Sequence, residues 1–543
     1  MALVDRSPSH LLSMTDGSLI FRFYSVYRII GHQKRSYVPS NRNPLHLQLP
    51  AAPSINNEVF AHHVVPREQM GSIEVCIVTL FIIWISSWIY KWGNPKCNGK
   101  VPPGSMGFPL LGETLSFFSS YTASDVHPFV KTRMERYGPI FKTCLVGQPL
   151  IVSTDQDFNQ FIFQQEGRLF QSWWPETFRE ILGPQNIGSM HGFLHKYLKG
   201  LTKKLLGVET LKQSLLPEVD QFARTTLSSW TTQPSIEVKE ATSAMIFDLT
   251  AKRLISYHPS TSSENLRDNF VAFLDGLISF PINIPGSPFY KCMQGRQNAM
   301  RMLKNMLEER RASPEKGCGD FFDYVIDELK KEGSALSEGM ALDMMFVMLF
   351  ASFETTSSAL TVAMKLLTDH PHVVEKLTEE HEEILKRRED PDSRITWEEY
   401  KSMTFTSQVI NEAVRLANIA PGIFRKTTDD VKIKGYTIPA GWAVMVCPPA
   451  VHLNPETFVE PLKFNPWRWE GMDTNRGSKN FMAFGGGMRL CVGADFSRLQ
   501  MTVFLHHLVT KYRWIAVKGG ETLRSPGLSF PNGFHIQLFQ KRK

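Results

Sequence analysis

Two stretches of the chain depart from the mixed polar and apolar pattern around them. From Val75 to Tyr90, sixteen consecutive residues carry no charge, with Glu74 before them and Lys91, Lys96 and Lys100 after. The run is slightly short of the ~20 residues a bilayer crossing needs. Gly71 to Ile73 extend it, and Trp84, Trp88, Tyr90 and Trp92 suit an interfacial end. We read 72–92 as a transmembrane anchor rather than a buried core helix, with the lysines placing the following domain in the cytosol. Between Asp343 and Lys365, 21 residues carry a single charge, Glu354, which predicts a helix buried on nearly every face. A second membrane span would fit its length. Glu354 followed by Thr355, Thr356, Ser357 and Ser358 argues instead for a core helix with a polar notch.

Helical periodicity dominates from about residue 120 onward, with short strand-like pieces at Ile140–Thr143, Pro149–Ser153, Val431–Ile433 and Trp442–Val446. The expected fold is mainly α with small β-sheets, as one large domain over 116–543 behind the anchor. Residues 93–115 contain VPPGSMGFPLLGET, whose prolines and glycines stop a helix and make a stiff, turning linker. Residues 1–69 are rich in Pro, Ser and Asn and lack apolar periodicity. They are expected to be disordered, either as a transit-like extension or, in the preferred reading, as a gene-model extension ahead of a natural start at Met70.

Composition adds bounds. An apolar fraction of 42% and a charged fraction of 21% are those of an ordinary globular protein, far from the disordered regime. The net charge is +7, of which the first 69 residues supply +3, seven basic against four acidic. No basic run appears, so a nucleic-acid surface gains no support. Seven cysteines at long, irregular spacings resemble neither a disulfide framework nor a zinc pattern.

One cysteine stands apart. In Phe484-Gly-Gly-Gly-Met-Arg-Leu-Cys-Val-Gly493 the glycines let the backbone turn tightly and approach a planar ligand closely. Backbone N–H groups in such a loop can donate to a thiolate and tune a bound metal, and a helix beginning at Ala494 adds a favourable dipole. A lone cysteine is ordinarily a small buried hydrophobe, but F-x-x-G-x-R-x-C-x-G arises by chance on the order of once in several thousand chains. The loop resembles the haem-binding loop of the cytochrome P450 superfamily at every fixed position. The resemblance implies that Cys491 ligates the iron of haem b, Phe484 shields the sulfur and Arg489 faces a propionate.

Other segments extend the resemblance over roughly 72–543. Glu412-Ala-Val-Arg415 is by itself an ordinary helix ion pair. Together with Phe464-Asn-Pro-Trp-Arg-Trp469, it resembles the family's buried triad, here Glu412, Arg415 and Arg468, which would be structural. Ala351-Ser-Phe-Glu-Thr-Thr356 resembles the oxygen-activation motif, with Ser352 where a glycine is usual; Glu354 and Thr355 would relay protons. His195 and Lys199 stand one helical turn apart, in place of a W-x-x-x-R pair, and with Arg425 are candidates to hold propionates. The implied activity is an NADPH- and O2-dependent monooxygenation.

No G-x-G-x-x-G follows a strand, so a separate NADPH-cytochrome reductase is the expected electron donor. PPGSMGFPLLGET and Pro281–Tyr290 resemble the plant clan acting on sterols, brassinosteroids, gibberellins and triterpenoids. That implies an apolar polycyclic substrate, a pocket near 417–422 and 528–530, and a single-pass endoplasmic reticulum membrane protein facing the cytosol. A haem-thiolate isomerase or lyase, or a non-catalytic haem-binding protein, are the rival readings. The retained Glu354 and Thr355 speak against the first.

Overall fold

The computed structural model describes residues 67–95, 97–122, 125–259, 265–313, 317–472 and 478–542. Residues 1–66, and with them nearly all of the leader expected to be disordered, lie outside the described residues. Helix α1 (Arg67–Gly93) runs through the first apolar stretch, and Leu80, Phe81, Ile82, Ile83, Trp84 and Tyr90 all expose more than half of their surface. Soluble proteins rarely leave such an apolar row in water, and the helix is long and apolar enough to cross a membrane.

The Pro/Gly segment after α1 is knitted onto a sheet. Lys142 N donates to Pro103 O at 2.8 Å, Glu113 N to Cys144 O at 2.8 Å, and the Glu113 carboxylate takes Arg133 and Thr143 Oγ1. The sheet is built from β1 (Ile140–Leu145), β2 (Gln148–Ser153), β3 (Phe170–Ser172), β5 (Ile423–Thr427) and β6 (Ala443–Val446), in the order β1-β2-β6-β5-β3. Only β2 and β6 run parallel. A second sheet pairs β7 (Tyr512–Gly519) and β8 (Phe534–Gln540) with the short β4 (Ile236–Glu237).

The body is helical. Its main helices are α2 (Gln156–Gln164), α3 (Gly192–Leu206), α4 (Leu216–Trp230), α5 (Val238–Ile255), α6 (Leu266–Leu277), α7 (Pro288–Ala312), α8 (Glu338–Asp369), α9 (Pro371–Lys386), α10 (Thr404–Ala417) and α11 (Ala494–Lys511). Helix α8 is the second apolar stretch. Ser337 caps it by accepting from Met340 N, which satisfies one of the open N–H groups of its first turn. Most of its residues are buried, so it is a core helix. Phe346 and Phe353 lock it to α5 and α6 through Phe247, Phe270 and Phe273, at centroid distances of 4.9 to 6.3 Å among contacting rings. Such aromatic pairs are worth about 0.5–1.5 kcal/mol each beyond area burial.

All four strand-like pieces are strands in the structure, while β3, β5, β7 and β8 carry no expectation from sequence. In β5, Ile-Phe-Arg-Lys-Thr buries a charged residue, Arg425, at a position that reads as solvent-facing. Strand β8 does alternate buried and half-buried positions, a period-two signal inside a chain otherwise dominated by helices.

Candidate active site

Cys491 lies three residues before Ala494, the first helical residue of α11. Its own N–H donates to Phe484 O at 2.9 Å, and Leu490 N to Gly487 O at 3.1 Å, closing a tight loop. Gly487 adopts a φ of +61°, and a Cβ there would stand 2.3 Å from Phe163 O of α2; at Gly486 it would stand 2.5 Å from the Phe163 ring. Only glycine lets the loop come this close. The sulfur faces a cavity inside the protein. Surrounding protein pushes the thiol pKa up, and the N–H groups of Gly493 and Ala494, with the Lys199 charge, pull it back down. Those N–H groups head a helix whose dipole favours an anion at this spot.

The cavity has a volume of about 520 Å³, within the range of ligand pockets, and its walls are mostly apolar. Val347, Met348, Ala351, Ile419, Ala420 and Phe484 line it. Of the expected pocket segments, 417–422 therefore contributes, whereas Leu528–Ser529 is spent on a small sheet with Leu523–Arg524 and is absent from the wall.

His195, Lys199, Arg425 and Arg489 all reach this cavity. Burial, then the charges of Arg489 and Lys199, push His195 down to about 4, so its imidazole is neutral at ordinary pH and offers an N–H rather than a charge. Glu166 sits between the two arginines: Arg489 Nε lies 3.0 Å from Oε1 and Arg425 Nε 2.6 Å from Oε2, while Ser172 N donates to Oε1. Arg489 also clamps the segment before α3 through Gly188 O, Met190 O and His191 Nδ1. Sequence reasoning missed Glu166. Its only signal is the single acid in the short Gln165–Leu169 link between α2 and β3.

Ala351 and Thr355, one turn apart, are exposed in the middle of buried α8 because their surfaces open to the cavity. Thr355 Oγ1 donates to Ala351 O at 2.9 Å, and Ser352 Oγ to Leu349 O at 2.8 Å, both within the helix. Glu354 turns elsewhere. Its carboxylate meets Lys239 Nζ of α5 at 2.7 Å, and Lys239 also donates to Ser357 Oγ at 2.9 Å. The structure thus brings Thr355 into the wall and leaves Glu354 outside it, beside a lysine that no sequence pattern announces.

Away from the cavity, Glu412 and Arg415 of α10 are wholly buried and paired twice at 2.8 Å. Arg468 Nε and Trp469 Nε1 each add a bond of 2.9 Å to the same carboxylate. The three residues of the expected triad are therefore together.

A thiol at a helix start, two backbone donors aimed at it, an apolar cavity and cations in its wall are what a thiolate-ligated haem iron requires, and the residues present fit such a group. The family comparison agrees. The Cytochrome P450 family matches residues 102–534, and the chain belongs to that family and is a monooxygenase. It is 61% identical to Cytochrome P450 87A3 of Oryza sativa subsp. japonica, over 84% of this chain and 89% of that one. It is 41% identical to the Cucurbitadienol 11-hydroxylase of Siraitia grosvenorii, over 87% of this chain and 100% of that one. Among solved structures, a retinoic acid-bound cyanobacterial CYP120A1 superimposes with a TM-score of 0.73 at 28% identity, covering 82% of this chain and all of that one.

Proposed function

We propose that the enzyme hydroxylates a rigid, apolar polycycle of the sterol or triterpenoid class while anchored to the endoplasmic reticulum membrane by α1, with the catalytic body over 116–543 facing the cytosol. Haem b, held through Cys491, would supply oxygen activation, with electrons delivered by a separate NADPH-dependent reductase. One observation carries the reading: Cys491 and Thr355 share the wall of a single, mostly apolar cavity. The relationship to a Cucurbitadienol 11-hydroxylase over nearly the whole chain favours a polycycle.

The residues divide the work. Arg425 and Arg489 offer charge to the propionates, His195 an N–H, and Phe484 covers the sulfur. Thr355 presents a hydroxyl that can hold and pass a proton at Oγ1. The half-buried Glu354 carboxylate, when it leaves Lys239, can take a proton from solvent and hand it toward that hydroxyl. The triad Glu412, Arg415 and Arg468 fixes the fold behind the cavity and touches no reactant.

A carbon monoxide difference spectrum of the purified, dithionite-reduced full chain is the first test, followed by titration with sterols and pentacyclic triterpenes. A strongly red-shifted Soret band that Cys491→Ala abolishes, and a spin-state shift with one scaffold, are expected. A Soret band typical of histidine ligation, or folded protein without haem, would overturn the assignment of Cys491. Shifts with neither scaffold would overturn the substrate class.

A further inference from the structure

Lys199 reaches the cysteine loop itself. From α3 its Nζ donates to Met488 O at 2.6 Å and to Leu490 O at 3.1 Å, the carbonyls on either side of Arg489 and, for Leu490, the one immediately before Cys491. The loop has reason to need this. Three successive glycines, 485 to 487, carry no side chains to restrain them, and Gly485 and Gly487 both lie at positive φ, +77° and +61°. Two carbonyls held by one ammonium are charge-assisted bonds, roughly twice as strong as neutral ones. A compact ammonium with several donors suits two converging carbonyls.

We infer that Lys199 is a positioning residue for the thiolate loop, clasping the two carbonyls that precede Cys491 from the facing helix. It does not serve chiefly as a propionate cation. The inference rests on the reading of Cys491 as the haem ligand. It also explains why α3 tolerates a neutral His195 one turn earlier: the two residues do different work, His195 in the cavity wall and Lys199 on the loop backbone.

The test compares full-length wild type with Lys199→Met and Lys199→Arg. Two rates are read: conversion of the reduced carbon monoxide complex from its red-shifted form to the short-wavelength form under mild guanidinium, and haem transfer to apomyoglobin. Losing the clasp should speed conversion by about tenfold or more, the scale of a hydrogen bond to a charged group. Haem transfer should change little, and Lys199→Arg should restore most of the difference. An unchanged conversion rate in Lys199→Met overturns the inference, as does faster haem transfer with conversion unchanged, the signature of a propionate ligand. If Lys199→Met does not accumulate as folded protein, Lys199→Gln keeps N–H donors without the charge and is read by the same two rates. Wild type lacking the red-shifted band would overturn the Cys491 assignment as well; a normal wild type with an indifferent Lys199→Met overturns this inference alone.

Discussion

Glu412 and Glu166 each sit between two arginines in the protein interior, Glu412 with Arg415 and Arg468, Glu166 with Arg425 and Arg489. Each cluster carries one surplus positive charge. Around Glu412 the surplus is absorbed by backbone: Arg415 Nη1 donates to His452 O and Pro461 O, and Arg468 to Val459 O and Lys463 O. Asn465 N and Trp469 Nε1 complete the carboxylate. Around Glu166 the arginines also reach backbone, Arg489 at Gly188 O and Met190 O and Arg425 at Phe424 O, but both form part of a cavity wall, with Lys199 nearby. The Glu412 cluster is closed off from the cavity, whereas the Glu166 cluster borders it, where an anionic guest would meet two cations.

Removing one member should separate the two clusters. Arg415→Ala leaves the Glu412 carboxylate short of its main partner in a site closed to water. We expect a loss of about 3–5 kcal/mol, seen as a lower urea midpoint of equal size with and without haem. Glu166→Gln leaves two arginines without their counter-charge. There we expect a loss of about 1–3 kcal/mol in the haem-free protein, largely recovered on haem loading, because propionates would replace the missing anion. An equal loss in both states would make Glu166 a second structural anchor and erase the comparison.

This contrast also marks what the sequence makes legible. Cys491 stands out because its loop holds several residue types at fixed spacing, and Glu412 with Arg415 because helix geometry fixes a three-residue step. The central helix was visible as a long apolar run with one charge. Glu166 and Lys239 were not, because each acts through a partner far along the chain, Arg489 at a separation of 323 residues and Glu354 at 115. Lys199 was found by its place in a pattern, but its bonds run to backbone carbonyls, which have no sequence signature. Strand β5 was hidden because burial of Arg425 depends on Glu166.

Histidines beside the clusters offer a gentler probe. His452 pairs with Asn418 Oδ1 at 2.7 Å and takes Met482 N on its other nitrogen; burial first, then the Arg415 charge, holds it down to about 3. Unfolded, it would titrate near 6.5. The unfolded chain therefore binds the extra proton first, so this stability is whole above about pH 6.5 and falls by about 1.4 kcal/mol per pH unit until about pH 3. His452→Gln, which can keep both bonds, should flatten the pH dependence of the urea midpoint by one proton's worth. His195, held at about 4, should add a shorter window in the haem-free protein. An unchanged slope in His452→Gln would mean that other groups carry the acid sensitivity.

Thr355→Val should disturb stability least and still matter to chemistry. Valine keeps the branched shape and removes only the hydroxyl, whose bond to Ala351 O is local to α8 and whose surface already faces the cavity. A substitution of that kind stays within about 0.5 kcal/mol. If Thr355 Oγ1 passes protons, product formed per O2 consumed should fall by about tenfold or more, on the scale of positioned acid–base groups, with little change in substrate spin-state titration. Stability and yield falling together would place Thr355 with Glu412, among residues that hold the fold. Yield falling alone would place it on the cavity side, with the groups that serve the reaction rather than the fold.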